Sequence, residues 1–212
     1  MSTPTLETTT DALMRRTRLL LFVLLTCPLA ALADSATAIF AGGCFWCMES
    51  DYQDQPGVAG VVSGFTGGSL QNPTYSGNHQ GHFEAVEVTY DPTVINYQQL
   101  LDLFWLSIDP FDNNGQFCDK GDSYRSAIFP ATASEHAMAE ASKSAVAARF
   151  SDQTVYTEIH DVSSFWPVEE NHQDYYLKNP VRYKYYRWNC GRDQRLKQIW
   201  GDEAVVHGDE SA

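Results

Sequence analysis

The chain has 212 residues, enough for one sizeable core and at most two small domains. Its 43% hydrophobic and 13% aromatic content mark a globular protein and exclude a disordered one. A net charge of −13 argues against gripping a phosphate backbone, so no nucleic-acid partner is expected.

Residues 1–33 differ in kind from the rest. Arg15, Arg16 and Arg18 precede the apolar run Leu19 to Leu25, and Ala31-Leu32-Ala33 supplies a small-x-small cleavage pattern. These are the parts of a secretory signal peptide, whose apolar core is too short for a stable membrane span. Residues 1–13 lack signal character, so Met14 is an alternative start. Cleavage after Ala33 would deliver an exported, periplasmic protein with a single catalytic domain over 34–201 and a loose acidic tail over 202–212. Cys27 falls in the removed segment. The remaining Cys44, Cys47, Cys118 and Cys190 allow two structural disulfides in such a compartment, although a chain of this length can hold a core without them.

Thr37 to Ala41 reads as a short buried strand, and Met48 to Tyr52 as the first turns of a helix. The glycine pair Gly42-Gly43 between them puts Cys44 at the helix N-terminus, where free N–H groups and the helix dipole favour negative charge. Thiol pKa values there fall from about 8.5 to roughly 3.5–7.5, so Cys44 is expected to be a thiolate and a nucleophile. Phe45 and Trp46 beside it offer an apolar wall. Gly57 to Val62 is strand-like, Gly64 to Gly68 breaks it, and Asn72-Pro73-Thr74-Tyr75 signals a turn. His82 to Tyr90 alternates as a strand, with Glu84 on the same side as Val86, Val88 and Tyr90. A carboxyl group on a core-facing side is desolvated and stays protonated.

Asn96 caps a helix expected from Tyr97 to Ile108. Asp109 to Asp122 is a loop whose acidic spacing fits no EF-hand, so no metal is expected there. Ser123 to Phe129 reads as a strand containing Tyr124. Thr132-x-x-Glu135 is a capping box opening a helix to Phe150. A strand over Val155 to Val162 and a helix over Glu169 to Leu177 follow. The tyrosine-rich stretch through Tyr183 to Tyr186 and Asn189-Cys190-Gly191 reads as irregular, with a short amphipathic piece at Gln194 to Trp200. The few short strands predict an α+β chain, a two-layer α/β sandwich with a mixed sheet and long loops. There is no phosphate-binding glycine motif and no second C-x-x-C for a closed zinc site.

These segments together resemble the class A peptide-methionine sulfoxide reductases. The likeness rests on GGCFWC (Gly42 to Cys47), FTGG (Phe65 to Gly68), NPTY (Asn72 to Tyr75), GHFEAVEVTYDP (Gly81 to Pro92) and GQFCDKGDSYRSAIF (Gly115 to Phe129). ENHQDYYLKNP (Glu170 to Pro180) and NCGRDQRLKQIWG (Asn189 to Gly201) extend it over nearly the whole mature chain. The resemblance implies a sandwich with a long irregular C-terminal segment. It also implies reduction of S-methionine sulfoxide, free or in oxidised proteins, with no bound cofactor and a thioredoxin-type dithiol as co-substrate. By the same likeness Cys44 is the nucleophile, and Phe45 and Trp46 hold the substrate methyl group. Glu84 is the buried acid, Tyr75 and Tyr124 are hydroxyl donors, and Asp119 is a supporting carboxylate. Many members carry Gly where Cys47 stands. A monomer is expected.

The chemistry is coherent on its own terms. Attack at a sulfoxide sulfur requires a proton for the oxygen, which a neutral Glu84 supplies, and leaves Cys44 as a sulfenic acid. A second thiol must then form a disulfide. Cys190, in a step where the backbone can move, is expected to be the resolving thiol, with Cys47 one helical turn away and Cys118 beside Asp119 as alternatives. The rival classes are a thioredoxin-like disulfide oxidoreductase using Cys44-x-x-Cys47, and a binding module held by two disulfides.

Overall fold

Strand β1 (Ala36–Gly42) is paired along both edges inside a six-stranded sheet, which accounts for its run of small and apolar residues. The computed structural model describes Met1 and residues 35–207, so the expected signal segment lies almost entirely outside the described residues. After β1 come α1 (Phe45–Gln53), β2 (Val58–Thr66), β3 (Phe83–Tyr90), α2 (Tyr97–Leu106), the hairpin β4 (Gly115–Gln116) and β5 (Asp119–Lys120), and β6 (Ser126–Phe129). Then follow α3 (Ala133–Arg149), β7 (Glu158–Ile159), β8 (Trp166–Pro167), the single turn α4 (Tyr175–Lys178), α5 (Pro180–Asn189) and α6 (Arg192–Trp200). The sheet order is β7-β6-β1-β3-β2-β8, with β6 and β7 parallel and the other neighbours antiparallel. It is the mixed sheet of an α+β fold.

The two faces of the sheet are unequal. Phe40, Val86, Val88 and Ile128 point into the main core, where Met48 and Tyr52 of α1, Leu100, Leu101 and Phe104 of α2, and Leu196 and Trp200 of α6 cover them. Their strand neighbours Ile39, Ala41, Ala85 and Ala127 face the other way into a smaller cluster with Phe83 and Phe129. The alternation read for β3 is therefore real, and it turns Glu84 toward the side that α1 covers. Both predicted caps form. Asn96 accepts from Gln99 N at 3.0 Å, and Thr132 accepts from Glu135 N at 3.2 Å. Each typically contributes about 1 kcal/mol.

Several boundaries differ from expectation. β2 runs through Gly64 and Phe65 to Thr66, because β8 pairs with it there and needs a residue without a Cβ at Gly64. Tyr124 lies in a 3₁₀ turn, Asp122–Tyr124, and not on β6. The strand expected over Val155 to Val162 shrinks to two residues, and the helix expected from Glu169 is broken at Asp174, whose φ is 52°. Irregular chain is confined to the stretch before Pro180; the C-terminal part beyond it is two helices, separated by Gly191 at φ 67°. The described part of the tail is not loose. Val205 N donates to Leu106 O at 3.1 Å, Arg149 pairs with Glu203 at 2.9 Å, and His207 reaches Asp51 at 2.7 Å. Among the described residues, no helix is long and apolar enough to cross a membrane.

Candidate active site

β1 ends at the glycine pair, and Cys44 is the N-cap of α1 as its position suggested. Gly43 has φ 84°, and a Cβ there would stand 2.6 Å from Gln116 Cβ, so both conformation and space demand glycine. The Cys44 carbonyl accepts from Cys47 N at 3.1 Å and Met48 N at 3.3 Å. Its side chain makes no capping bond, which leaves the sulfur free. The next helical N–H, that of Phe45, donates to Glu84 Oε2 at 3.2 Å. The helix start thus binds the acid and the nucleophile at neighbouring positions.

The charge distribution differs from the expected Cys44 thiolate. Cys44 and Cys47 are only 5% and 2% exposed, and both are free thiols packed in one small buried cluster with Tyr183. Burial, then Cys47 and Glu84 beside it, push the Cys44 thiol well above its ordinary value. The neighbouring Cys44 thiol, then Arg192 and Arg187, bring Cys47 down to about 7 against the opposing effect of burial. The two sulfurs titrate together, so the negative charge that the arginines favour belongs to the pair. The cations are held by a buried carboxylate: Arg187 Nη1 donates to Asp51 at 2.8 Å, and Arg192 lies 3.5 Å from the same group.

Burial raises Glu84 to about 8, against the pull of the Phe45 N–H. Its Oε1 has no partner among the described residues. Burial, followed by the charge of Glu84, also raises Tyr75 to about 12 and lifts Tyr124, so both hydroxyls stay protonated as donors. Asp119 is likewise raised by burial and accepts a hydrogen bond from the Tyr186 hydroxyl.

Aromatic rings close the space around the thiol. Tyr175 stacks on Trp46 at 3.8 Å, His172 at 5.6 Å, and Tyr186 meets its edge at 5.9 Å; Tyr75 lies 5.9 Å from Phe45. His172, which in sequence looks merely structural, belongs to this wall, and burial lowers its pKa and keeps it neutral. Cys44, Glu84, Tyr75, Tyr124, Asp119, Phe45 and Trp46 are thus brought together. Tyr175, Tyr186, Arg187 and Arg192 also reach the site; the sequence places Tyr175 in an expected helix and Tyr186 and Arg187 in a tyrosine-rich stretch that reads as irregular, and singles out none of the four. Cys190 does not stand ready for Cys44. It is bonded to Cys118 across a Cα separation of 4.9 Å, while Cys47 is the thiol against Cys44.

A buried thiol pair beside a protonated carboxyl and tyrosine hydroxyls, in an aromatic pocket, is the site of a thiol-dependent reductase for a group with a polar oxygen and an apolar substituent. The comparisons give that class its family. The family model "Peptide methionine sulfoxide reductase" matches residues 36–204. MsrA 2 of Caulobacter vibrioides is 49% identical over 179 residues, covering 83% of this chain and 91% of that protein. MsrA of Bacillus subtilis is 47% identical over 77% of this chain and 95% of its own. Among solved structures, methionine sulfoxide reductase A of Corynebacterium diphtheriae has a TM-score of 0.62 at 31% identity, covering 69% of this chain and 76% of that one. Reduced Mxr1 of Saccharomyces cerevisiae has a TM-score of 0.63 at 26% identity, over 70% and 88% of the two chains. The chain belongs to the class A peptide methionine sulfoxide reductases, and its reaction is the thiol-dependent reduction of methionine sulfoxide. The thioredoxin-like and binding-module readings fall with that assignment.

Proposed function

We propose that Cys44 attacks the sulfur of S-methionine sulfoxide and that Cys47, not Cys190, resolves it. The Cys47 sulfur accepts the Cys44 proton as substrate enters, and the Cys44 thiolate bonds to the sulfoxide sulfur; the protonated oxygen then passes to the Cys44 sulfur as the new sulfur–sulfur bond and the original S–O bond break. Glu84 gives its proton to the departing oxygen, with Tyr75 and Tyr124 donating to the same atom, so the products are methionine and a Cys44 sulfenic acid. Phe45 and Trp46 contact the methyl group. Asp119, fixed by Tyr186, supports the donors from behind. The Cys47 thiol then displaces water from the sulfenic acid to form a Cys44–Cys47 disulfide. Its electrons are restored by exchange with the reduced Cys118/Cys190 pair, which a thioredoxin-type dithiol keeps open.

The observation carrying this reading is the pairing pattern itself: the inner thiols are free and share one buried cluster, whereas the outer two are joined near the surface. Tyr186 stands between the pairs: its carbonyl accepts from Cys190 N at 2.9 Å, its hydroxyl donates to Asp119, and its ring packs on the inner-thiol cluster. Trapping the fully reduced enzyme after one equivalent of sulfoxide and mapping its peptides tests the order of steps. The expected product in a Cys118→Ser/Cys190→Ser protein is a Cys44–Cys47 disulfide. We also propose export with cleavage after Ala33, supported by the Arg-rich, apolar and Ala-x-Ala sequence of residues 15–33. N-terminal sequencing of native protein checks it, and a mature chain retaining Leu19 to Leu25 contradicts it.

A further inference from the structure

The outer cysteine pair has a third partner that disulfide chemistry does not use. Cys118 is exposed in the two-residue turn joining β4 to β5, and Cys190 is half-buried at the C-cap of α5, 72 residues away in sequence. Asp119 follows Cys118. One of its oxygens, Oδ2, is held by the Tyr186 hydroxyl, while Oδ1 faces the Cys118 sulfur at 3.8 Å. The two sulfurs and the carboxylate oxygen all lie within 4.8 Å of one another. When the disulfide is opened, this becomes two thiols and an oriented carboxylate at the protein surface.

That donor set suits a d¹⁰ cation of intermediate softness. Two thiolates on one zinc ion stand roughly 3.8 Å apart, given Zn–S bonds of about 2.3 Å and tetrahedral angles. Side chains on Cα atoms 4.9 Å apart reach that separation as readily as a disulfide. The Tyr186 bond fixes the carboxylate as outer partners do for metal ligands, and the exposure of Cys118 leaves room for water as a fourth ligand. The nearby cations are already matched, Lys120 with Asp112 and Arg192 with Asp51. The absence of a second C-x-x-C in the sequence is no obstacle, because the ligands come from two distant segments.

We propose that the reduced enzyme binds one Zn²⁺ ion through Cys118, Cys190 and Asp119, and that the metal locks the outer pair as thiolates. A dithiol reductant first supplies two electrons and two protons to the disulfide, becoming a disulfide itself. Zinc then displaces the thiol protons to solvent and undergoes no redox change. Bound thiolates cannot attack the Cys44–Cys47 disulfide, so turnover stops after one equivalent of sulfoxide; this consequence, unlike the binding itself, rests on the relay proposed above.

The test uses the full chain carrying Cys44→Ser and Cys47→Ser, so that only the outer thiols remain in the folded domain. The protein is reduced with a phosphine, freed of reductant without air, and titrated with Zn²⁺ against a chromophoric chelator. One equivalent should bind to reduced protein and none to the disulfide form. Cys118→Ser should weaken binding at least 100-fold, and Asp119→Asn about tenfold, with circular dichroism confirming that each variant is folded. Cd²⁺ in place of Zn²⁺ should give the charge-transfer absorbance of two thiolates. Equal binding to oxidised protein, or binding undiminished by Cys118→Ser, overturns the site. Because the readout involves no turnover and no inner thiol, its failure leaves the roles of Cys44 and Cys47 standing.

Discussion

The two cysteine pairs sit in opposite settings. Cys44 and Cys47 are carried by one helix start, are almost completely buried, and share their charge with two arginines and a carboxyl group. Cys118 and Cys190 come from a turn and a helix end, and Cys118 is exposed. The difference separates two tasks that one thiol cannot perform together. Chemistry on a sulfoxide needs a dry pocket, where a carboxyl group keeps its proton and an aromatic wall holds a methyl group. Exchange with another protein needs a sulfur that a large partner can touch. Burial of the inner pair is what makes an outer pair useful.

The largest effect should come from Cys44. Cys44→Ser should abolish methionine formation even in a single turnover, whereas Cys118→Ser should leave single turnover intact and lower only multiple turnover; equal losses would erase the distinction between the pairs. Glu84→Gln comes next, with a fall of about 10²–10⁴ in the single-turnover rate, because an amide has no proton to give the leaving oxygen. In the wild type that rate should fall as pH rises through about 8, where Glu84 ionises, and as pH drops below about 7, where Cys47 gains a proton. Rapid-quench measurements across pH check this, and Glu84→Gln should lose the alkaline limb alone.

The pocket's supporting charges give the next predictions. Arg187→Ala leaves Asp51 with one of its buried cations removed, so denaturant unfolding should show a loss of about 3–5 kcal/mol. A folded Arg187→Lys protein should keep the pair but raise the pH at which the inner thiols react with an alkylating agent. Stability should also depend on pH through Glu84 and Glu49, which burial raises to about 8 and about 7. Their folded values lie above the unfolded 4.5, so the folded state binds more protons between those limits. This stability is therefore present in full below about 4.5 and lost as pH rises toward 8. Thermal melts from pH 5 to 9 should show the decline, with a shallower slope for Glu84→Gln. The smallest effect is expected at His207, which is partly exposed: His207→Ala should cost about 1 kcal/mol through the lost bond to Asp51.

Much of this was legible because local rules carried it. The caps at Asn96 and Thr132, the alternation that turns Glu84 inward, and the glycine pair before Cys44 are each decided by a few adjacent residues. The illegible parts depend on contacts between distant segments. The stretch of tyrosines and arginines around Tyr183 to Gly191 reads as irregular until α5 and α6 bring Arg187 and Arg192 to Asp51 of α1. The Cys44 charge was misjudged for the same reason. A helix N-terminus lowers a thiol's pKa in isolation, but here burial raises it, with Cys47 and Glu84 adding to the rise. The partner of Cys190 lies 72 residues away, and no spacing rule selects Cys118 over Cys44.

The central claim is that oxidation begins in the buried pair and moves outward. It is tested most directly by reducing the wild-type enzyme fully, adding one equivalent of methionine sulfoxide peptide, and trapping free thiols by acid and alkylation at increasing times. Mass mapping should find a Cys44–Cys47 disulfide at the earliest times, giving way to Cys118–Cys190. A first-formed Cys44–Cys190 or Cys44–Cys118 disulfide, with Cys47 alkylated throughout, would contradict the account.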